Sequence, residues 1–308
     1  MNVVDILRKL KHAGFVASKR VRWAVRDRSL PLLRAYSDRR GFTYEKEKYE
    51  ARIGPGGNQG IPTSSTFPVD HLFFPPRLPV ADGEAAPRRL FLLWTGDNAM
   101  SSNREQSVER IRRQNPDTDV VVVTPENIDQ FVVDGHPLHP AYSHLSFVHR
   151  ADYLRAYLMY HHGGAYLDIK PYSGSIDAFF ERLDSDPSVW AVGTAESTVS
   201  IAWARGGALG RDQKLHVSKV LCQAMFAFRP HSLLAALWLS EVERRLSYFA
   251  DLLELHPATD AFGAEGDYPV PWFSLLGAVL PPLCLKYHRH IAICDEPTMQ
   301  IDGFDTYR

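Results

Sequence analysis

The sequence predicts an α/β protein with a mainly parallel sheet flanked by helices and a basic helical extension at the N-terminus. Short apolar runs alternate with segments of helical periodicity, as expected for parallel strands joined by crossover helices. Charge is also divided along the chain: residues 1–40 hold 11 Lys/Arg against 3 Asp/Glu, and the remainder holds 24 against 33. We therefore predict an extension with a linker over residues 1–85 and one α/β domain over residues 86–308.

Composition narrows the class of protein. A chain of 308 residues that is 45% hydrophobic and 23% charged is typical of a soluble globular protein. Cys222, Cys284 and Cys294 show no close pairing, which favours a reducing compartment such as the cytoplasm. No apolar run is long enough for a secretory signal or a membrane span. The formal net charge is −1, and we expect no nucleic-acid partner.

The N-terminal extension is basic and amphipathic over residues 1–38, and a glycine-rich linker follows at residues 54–60. Aromatic and apolar residues between lysines and arginines fit a helix that lies on an anionic membrane surface, which would place the protein at the inner face of the membrane. A helix with a solvated basic face, docked on the following domain, fits equally well. The sequence leaves both interpretations open.

The predicted elements of the domain begin with an apolar run over residues 89–95, typical of a buried parallel strand. A helix capped by Ser102 is expected to end at Gln114, and Thr124 is expected to open another short helix. Residues 201–214 resemble a mobile loop. Further strands are predicted at 120–123, 190–193, 223–228 and 291–294, with a long helix over 232–253.

The stretch from 147 to 170 organises the domain. Apolar residues at spacings of three and four predict a helix that Ser146 caps and that ends at Gly163. A short apolar strand over 165–167 follows, and Asp168 emerges at its carboxyl end. Ligands bind at the carboxyl ends of strands in open α/β sheets, so Asp168 is a candidate site residue.

Asp152 and Arg155 are a second candidate pair, because residues three apart share one face of a helix. A guanidinium offers a planar fork of donors and a carboxylate accepts, which suits hydroxyl and phosphate groups. A pair at this spacing is more often an ordinary ion pair. The motif around this pair favours a functional role over an ordinary ion pair.

Residues 150–157 read RADYLRAY, 158–160 read LMY and 163–170 read GGAYLDIK. This stretch resembles the sugar-nucleotide-binding core of the glycosyltransferase family 32 group, which includes capsular-polysaccharide-type transferases. The group's pattern is Arg-x-Asp-x-x-Arg-Tyr, then Leu-Tyr, then Gly-Gly-x-Tyr-Leu-Asp-x-Asp. The resemblance implies a GT-A-like fold and a retaining transfer of sugar from a nucleotide-diphosphate sugar, such as a UDP- or GDP-sugar. The acceptor would be a glycan, a polysaccharide or a lipid-linked glycan.

The resemblance also implies roles for individual residues. Asp152 and Arg155 would contact and position the donor sugar, Trp94 would stack on the base, and Asp168 would ligate a metal ion and take part in catalysis. A Trp at a strand end is physically suited to that contact, because base stacking is worth ~1–3 kcal/mol. The full set of expected donor-binding residues is Trp94, Thr95, Arg150, Asp152, Arg155, Tyr166 and Lys170.

Lys170 is the one departure from the pattern, since it replaces the second Asp of the Asp-x-Asp motif. Either Mn²⁺ or Mg²⁺ is held mainly by Asp168 with Lys170 turned aside, or Lys170 takes over part of the cation's role. A rival interpretation is a degenerate, non-catalytic protein that binds sugar nucleotides or polysaccharide.

Overall fold

The structure is a computed structural model that describes residues 31–32, 35–50, 69–81, 83–196 and 207–300. It confirms the predicted α/β class: a six-stranded sheet lies between two layers of helices. A two-stranded ribbon, β4 (Tyr172–Ser173) with β8 (Thr298–Met299), lies apart from it. The sheet strands are β1 (Arg89–Leu93), β2 (Asp119–Val123), β3 (Gly164–Leu167), β5 (Ala191–Ala195), β6 (Leu221–Phe228) and β7 (Ile291–Cys294).

The sheet has the order β2-β1-β3-β6-β5-β7 and is mostly parallel. Strand β1 pairs in parallel with β2 and β3, and β5 pairs in parallel with β7. Strand β6 runs antiparallel to both of its neighbours, β3 and β5. Its first residues therefore lie at the same sheet edge as the carboxyl ends of the other five strands.

Successive side chains along each strand pack alternately into two separate hydrophobic cores, one on each face of the sheet. On β1, Phe91 points into the core beneath the long helices, whereas Leu90 and Leu92 point into the core on the opposite face. This period of two follows from the pleat of a strand. Helices α1 (Ser102–Gln114) and α3 (Asp177–Ser185) cover the second face. Helices α2 (Phe147–His161), α5 (Leu233–Leu255) and α6 (Leu280–Lys286) cover the first.

Helix α2 follows the predicted boundaries closely. The side chain of Ser146 accepts from the backbone N–H of His149, so the predicted N-cap is confirmed. The helix is not amphipathic in the expected way, because most of its residues from 152 to 160 are buried. It lies between the sheet and α5 and has almost no solvent face. A polar side chain on this helix must therefore meet another part of the protein or a ligand.

Two other local predictions need correction. Residues 207–214, expected to be part of a mobile loop, belong to helix α4 (Gly207–Leu215), while residues 201–206 lie outside the described chain. The helix expected after Thr124 is a single 3₁₀ turn, Ile128–Phe131. Both segments are short, and periodicity decides poorly between a turn and a helix at that length.

The described parts of the extension pack against the α/β domain. The hydroxyl of Tyr49 donates to Asp212 at 2.5 Å, and the ammonium of Lys286 donates to Glu50 at 2.7 Å. Most of the amphipathic segment predicted at the N-terminus, residues 1–30 and 33–34, lies outside the described residues. The linker at 54–60 lies outside them too. The domain boundary at 85/86 stays a prediction. Among the residues that the structure describes, no helix is both long and apolar enough to cross a bilayer.

Candidate functional site

Asp168 lies directly after β3, at the carboxyl edge of the sheet. Its backbone N–H donates to the carbonyl of Ala224 on β6 at 2.9 Å, which extends the strand pairing by one residue. Alternation along β3 turns Tyr166 toward α2 and its two neighbours toward the opposite face. Asp168 therefore shares the α2 side of the sheet with Tyr166.

Four charged side chains meet at this edge. Arg155 Nη1 lies 3.6 Å from Asp152 Oδ1, and Arg155 Nη2 lies 3.5 Å from Asp168 Oδ1. Lys170 Nζ donates to Asp168 Oδ2 at 2.5 Å. Asp152 is almost fully buried, but about a fifth of the side chains of Asp168 and Lys170 stays exposed, 19% and 20%. We name Asp152, Arg155, Asp168 and Lys170 the edge cluster.

Tyr166 supports the edge cluster from beneath. Its hydroxyl donates to Asp168 Oδ1 at 2.7 Å, and its ring lies under the guanidinium of Arg155, 4.6 Å from the ring centroid. The guanidinium also donates to the carbonyl of Gln223 at 3.2 Å. Arg155 and Asp168 are thus oriented by fixed groups, which is the arrangement that a preorganised site requires.

The two carboxyl groups of the edge cluster differ in pKa. Burial raises the pKa of Asp152 to about 6, against the opposing pull of Arg155. Burial also acts to raise the pKa of Asp168, but Lys170 and Arg155 outweigh it and hold that pKa at about 2. Near pH 6 Asp168 is therefore a fixed anion, whereas Asp152 can exchange a proton. Pairs of carboxyl groups with separated pKa values are common at catalytic sites.

Trp94 and Thr95 directly follow β1 at the same sheet edge. Phe91 pairs with Tyr166 across the parallel strands, so Trp94 and Asp168 both follow strand ends that lie side by side. The indole N–H of Trp94 donates to the carbonyl of Asn98 at 2.7 Å, and its side chain is partly exposed. The hydroxyl of Thr95 donates to the carbonyl of Phe147 at 2.6 Å and ties the end of β1 to the start of α2.

Arg150 is not part of the edge cluster. Its guanidinium donates to the carbonyl of Ser143 at 2.6 Å and lies over the rings of Tyr142 and Phe147. These contacts hold the loop that leads into α2. Arg150 is expected in the donor-binding set from the resemblance, but the structure places it on a different side of the helix from Asp152 and Arg155.

Two residues near the edge cluster are missing from the sequence prediction. Glu196 follows β5, is buried, and lies 3.4 Å from the backbone nitrogen of Gln223. It directly follows β5 as Asp168 follows β3, but the sequence predicts the end of that strand at residue 193, three residues before Glu196, so the same criterion did not select it. Arg104, in the first turn of α1, donates to the carbonyl of Ile169 and holds the segment that carries Asp168 and Lys170. No local sequence signal marks Arg104.

Comparison with protein families identifies the region that surrounds this cluster. Residues 101–170 match the model described as "Glycosyltransferase sugar-binding region containing DXD motif". The match is to a glycosyltransferase-type region. It ends at Lys170 and therefore contains all four residues of the edge cluster. Neither the search of curated proteins nor the search of solved structures gave a match. The α/β architecture, with its six-stranded sheet between helices, is compatible with a GT-A-like fold.

Glycosyltransferases of the DXD type generally use a divalent cation, so the donor set has to be tested against one. Asp168 is the only carboxylate of the motif, and its two oxygens are engaged by Lys170 and Tyr166. Among the described residues, no group of three or more His, Cys, Asp and Glu side chains is arranged to hold a metal ion. As arranged, these side chains do not fit a divalent ion, and Lys170 is not turned aside.

Proposed function

We propose that this protein is a retaining glycosyltransferase that moves a sugar from a nucleotide-diphosphate sugar to a glycan, polysaccharide or glycolipid acceptor. The observation that carries the proposal is the edge cluster: the matched glycosyltransferase region contains a carboxylate, Asp168, at the carboxyl edge of the sheet, where Arg155 and Tyr166 orient it. This is the edge where open α/β folds bind ligands. Residues 86–308 would form the catalytic domain, and residues 1–85 its extension.

The proposed roles follow from position and charge. Asp152 would accept from hydroxyls of the donor sugar, and Arg155 would donate to the sugar or the diphosphate. Trp94 would stack on the base, with Thr95 holding the start of α2 beside it. Asp168 would fix Arg155, and its negative charge would favour positive charge that develops on the anomeric carbon. Arg150 would act indirectly, through the loop before α2.

An exposed aromatic pair supports a carbohydrate acceptor. The rings of Phe262 and Trp272 lie 6.3 Å apart and are 41% and 48% exposed. The carbonyl of Trp272 lies 3.3 Å from His149 Nε2, one helical turn before Asp152 on α2. Exposed aromatic rings beside a site offer apolar contact area with little loss of entropy on binding. We propose this pair as part of the acceptor surface.

The resemblance to family 32 further supports a role in polysaccharide or capsule assembly at the cytoplasmic face of a membrane. The net charge of +8 over residues 1–40 is the feature that would bind anionic lipid. Sedimentation with liposomes rich in anionic lipid tests this part. Failure of the intact protein to sediment with them would leave the docked-helix interpretation of the extension.

The test of the function is a donor screen by thermal shift, followed by a transfer assay. UDP-sugars and GDP-sugars are compared at equal concentration, because a ligand that binds the folded state raises the melting temperature. We expect one nucleotide class to stabilise the wild type. In Trp94→Ala the affinity for that nucleotide should fall by roughly 5- to 150-fold, which corresponds to the loss of one stacked base. Trp94→Phe is the matched control and should keep most of the affinity.

A non-catalytic sugar-nucleotide-binding protein is the second candidate, favoured by the lysine in place of the motif's second carboxylate. Asp168→Ala distinguishes the two. A catalyst should bind the donor, release or transfer sugar, and lose that turnover in the variant. A binding protein should show binding without turnover in the wild type itself.

A further inference from the structure

The edge cluster contains a positively charged side chain, the ammonium group of Lys170, at a fixed position. Lys170 Nζ lies 2.5 Å from Asp168 Oδ2, and the segment that carries both residues is tied down at several points. Asp168 N–H donates to Ala224, Arg104 donates to the carbonyl of Ile169, and Gln300 N–H donates to the carbonyl of Pro171. The ammonium group is therefore part of a built site.

The charge of the cluster balances without a metal ion. In the Asp-x-Asp pattern the second position carries −1, whereas Lys170 carries +1. This difference of two charges equals the charge that a divalent cation adds. The formal charges of Asp152, Arg155, Asp168 and Lys170 sum to zero. The sum would also be zero for Asp152, Arg155, the two aspartates of an Asp-x-Asp motif and one bound divalent ion.

A divalent ion would also meet repulsion here. Oxygen ligands bind such ions at about 2.0–2.6 Å. An ion on Asp168 Oδ2 would thus lie within about 5 Å of the Lys170 ammonium. On Oδ1 it would have to displace the hydroxyl of Tyr166, which donates there at 2.7 Å, and it would approach the guanidinium of Arg155.

We propose that Lys170, together with Arg155, replaces the divalent cation, so that this glycosyltransferase binds its nucleotide and transfers sugar without a metal. The inference rests on the proposed function and specifies which groups stabilise the negative charge of the diphosphate. In the transfer, the bond between the anomeric carbon and the diphosphate oxygen breaks, and its electron pair stays on the diphosphate. The acceptor hydroxyl oxygen bonds to the anomeric carbon, and its proton can pass to the departing diphosphate. The ammonium and guanidinium groups would stabilise that added negative charge.

The experiment measures the affinity of the full chain for UDP and for GDP by calorimetry, in excess EDTA and in excess Mn²⁺, alongside transfer in the same buffers. We expect the dissociation constant of the nucleotide that binds to agree between the two buffers within about twofold. Lys170→Met should weaken binding by at least about tenfold in both, since one charge-assisted contact is lost. Lys214→Met, which removes an exposed lysine on α4, is the matched control and should bind like the wild type.

A charge-reversing variant sharpens the test. Lys170→Asp restores Asp-x-Asp, so it should bind nucleotide in Mn²⁺ but not in EDTA, and Mn²⁺ alone should raise its melting temperature. That temperature also reports whether the variant folds. The wild type should show no shift with Mn²⁺ alone.

Three results would overturn the inference. One is wild-type binding and transfer that vanish in EDTA and return with Mn²⁺, which would leave the glycosyltransferase proposal intact. Another is a Lys170→Met variant that binds nucleotide in EDTA as tightly as the wild type. The last is the absence of nucleotide binding under every condition, which would refute the proposed function and the inference with it.

Discussion

Two clusters of buried charge within the described part of the chain differ in how they are assembled. On α5, Glu241 accepts from Arg245 at 2.6 Å and from Arg244 at 2.7 Å. All three residues belong to one helix, at spacings of three and four. The Glu241 and Arg245 side chains are 5% and 1% exposed. We name this set the helix cluster.

The edge cluster draws its members from two elements, α2 and the segment after β3, and keeps about a fifth of Asp168 and Lys170 exposed. In the helix cluster Arg245 also donates to the carbonyl of Ser274, and the exposed member is a guanidinium, Arg244, whose side chain is 27% exposed, whereas the carboxylate of Glu241 is buried. The comparison shows that charge at a spacing of three or four along a helix does not by itself mark a site. The edge cluster becomes a candidate because a strand end adds a carboxylate that solvent can still reach.

The largest expected effect lies in the helix cluster. Glu241→Gln leaves two guanidinium groups without their counter-charge, one of them deeply buried, and should lower the free energy of unfolding by about 3–5 kcal/mol. Urea unfolding measures this value. The double variant Glu241→Leu/Arg245→Met should recover most of the loss, because the deeply buried Arg245 charge is removed together with Glu241, and Arg244, which loses its contact with Glu241, is 27% exposed. A loss well under 1 kcal/mol in Glu241→Gln would mean that the helix cluster is not structural.

Substitutions in the edge cluster should lower turnover and leave stability nearly unchanged. Arg155→Lys keeps the charge but loses the planar fork that reaches Asp152 and Asp168, and we expect kcat to fall by about 10²–10³-fold. Asp152→Asn should fall comparably. Circular dichroism and the melting temperature should stay close to those of the wild type. Wild-type turnover in either variant would refute their assignment to the site.

Acidification should act on both regions with a smaller effect. Burial lowers the pKa of His71 to about 3, against the opposing attraction of Glu241 in the helix cluster, and lowers the pKa of His149 on α2 to about 4. Both values lie below that of an unfolded histidine, near 6.5, so the unfolded state binds more protons. The stabilising contribution of these two neutral histidines is therefore full above pH 6.5 and is lost as the pH falls toward their folded-state values of about 4 and 3. We expect a loss of about 1 kcal/mol per pH unit for each histidine.

Urea unfolding at pH 7, 6 and 5 checks this expectation. His149→Gln should reduce the dependence on pH, since a neutral amide has no proton to gain. An unchanged slope in that variant would show that His149 is not a source of the acid sensitivity.

Local patterns were enough to predict much of the fold. The apolar runs gave β1 and β2, and the segment from Ser146 to Asp168 was predicted almost residue by residue because its cap, its helix and its glycine turn are all encoded locally. The reversed direction of β6 was not predictable, since strand pairing is non-local and a single sequence carries no record of it. Helix α4 was missed because a stretch with three glycines, Gly206, Gly207 and Gly210, resembles a loop.

The site was predicted in part for the same reason. Asp152, Arg155, Tyr166, Asp168 and Lys170 meet in the structure, and all five lie within nineteen residues of one another along the chain. Arg104 and Gln223 reach the site from distant elements and have no local signal. Arg150 lies close to them in the sequence, yet its contacts are with residues 142–147. The helical periodicity places it on a different face of α2 from Asp152 and Arg155.

The turn between α2 and β3 sets a limit on chain length in this region. Gly163 and Gly164 both have positive φ, 61° and 84°, and a side chain on either would collide with Pro230 or with the carbonyl of Arg89. An insertion of one residue between Arg155 and the turn would rotate the helix by about 100° and advance it by about 1.5 Å. Asp152 and Arg155 would then face away from Asp168. Variation in length is therefore expected in the surface loops and not between these three residues, whatever substitutions the positions between them accept.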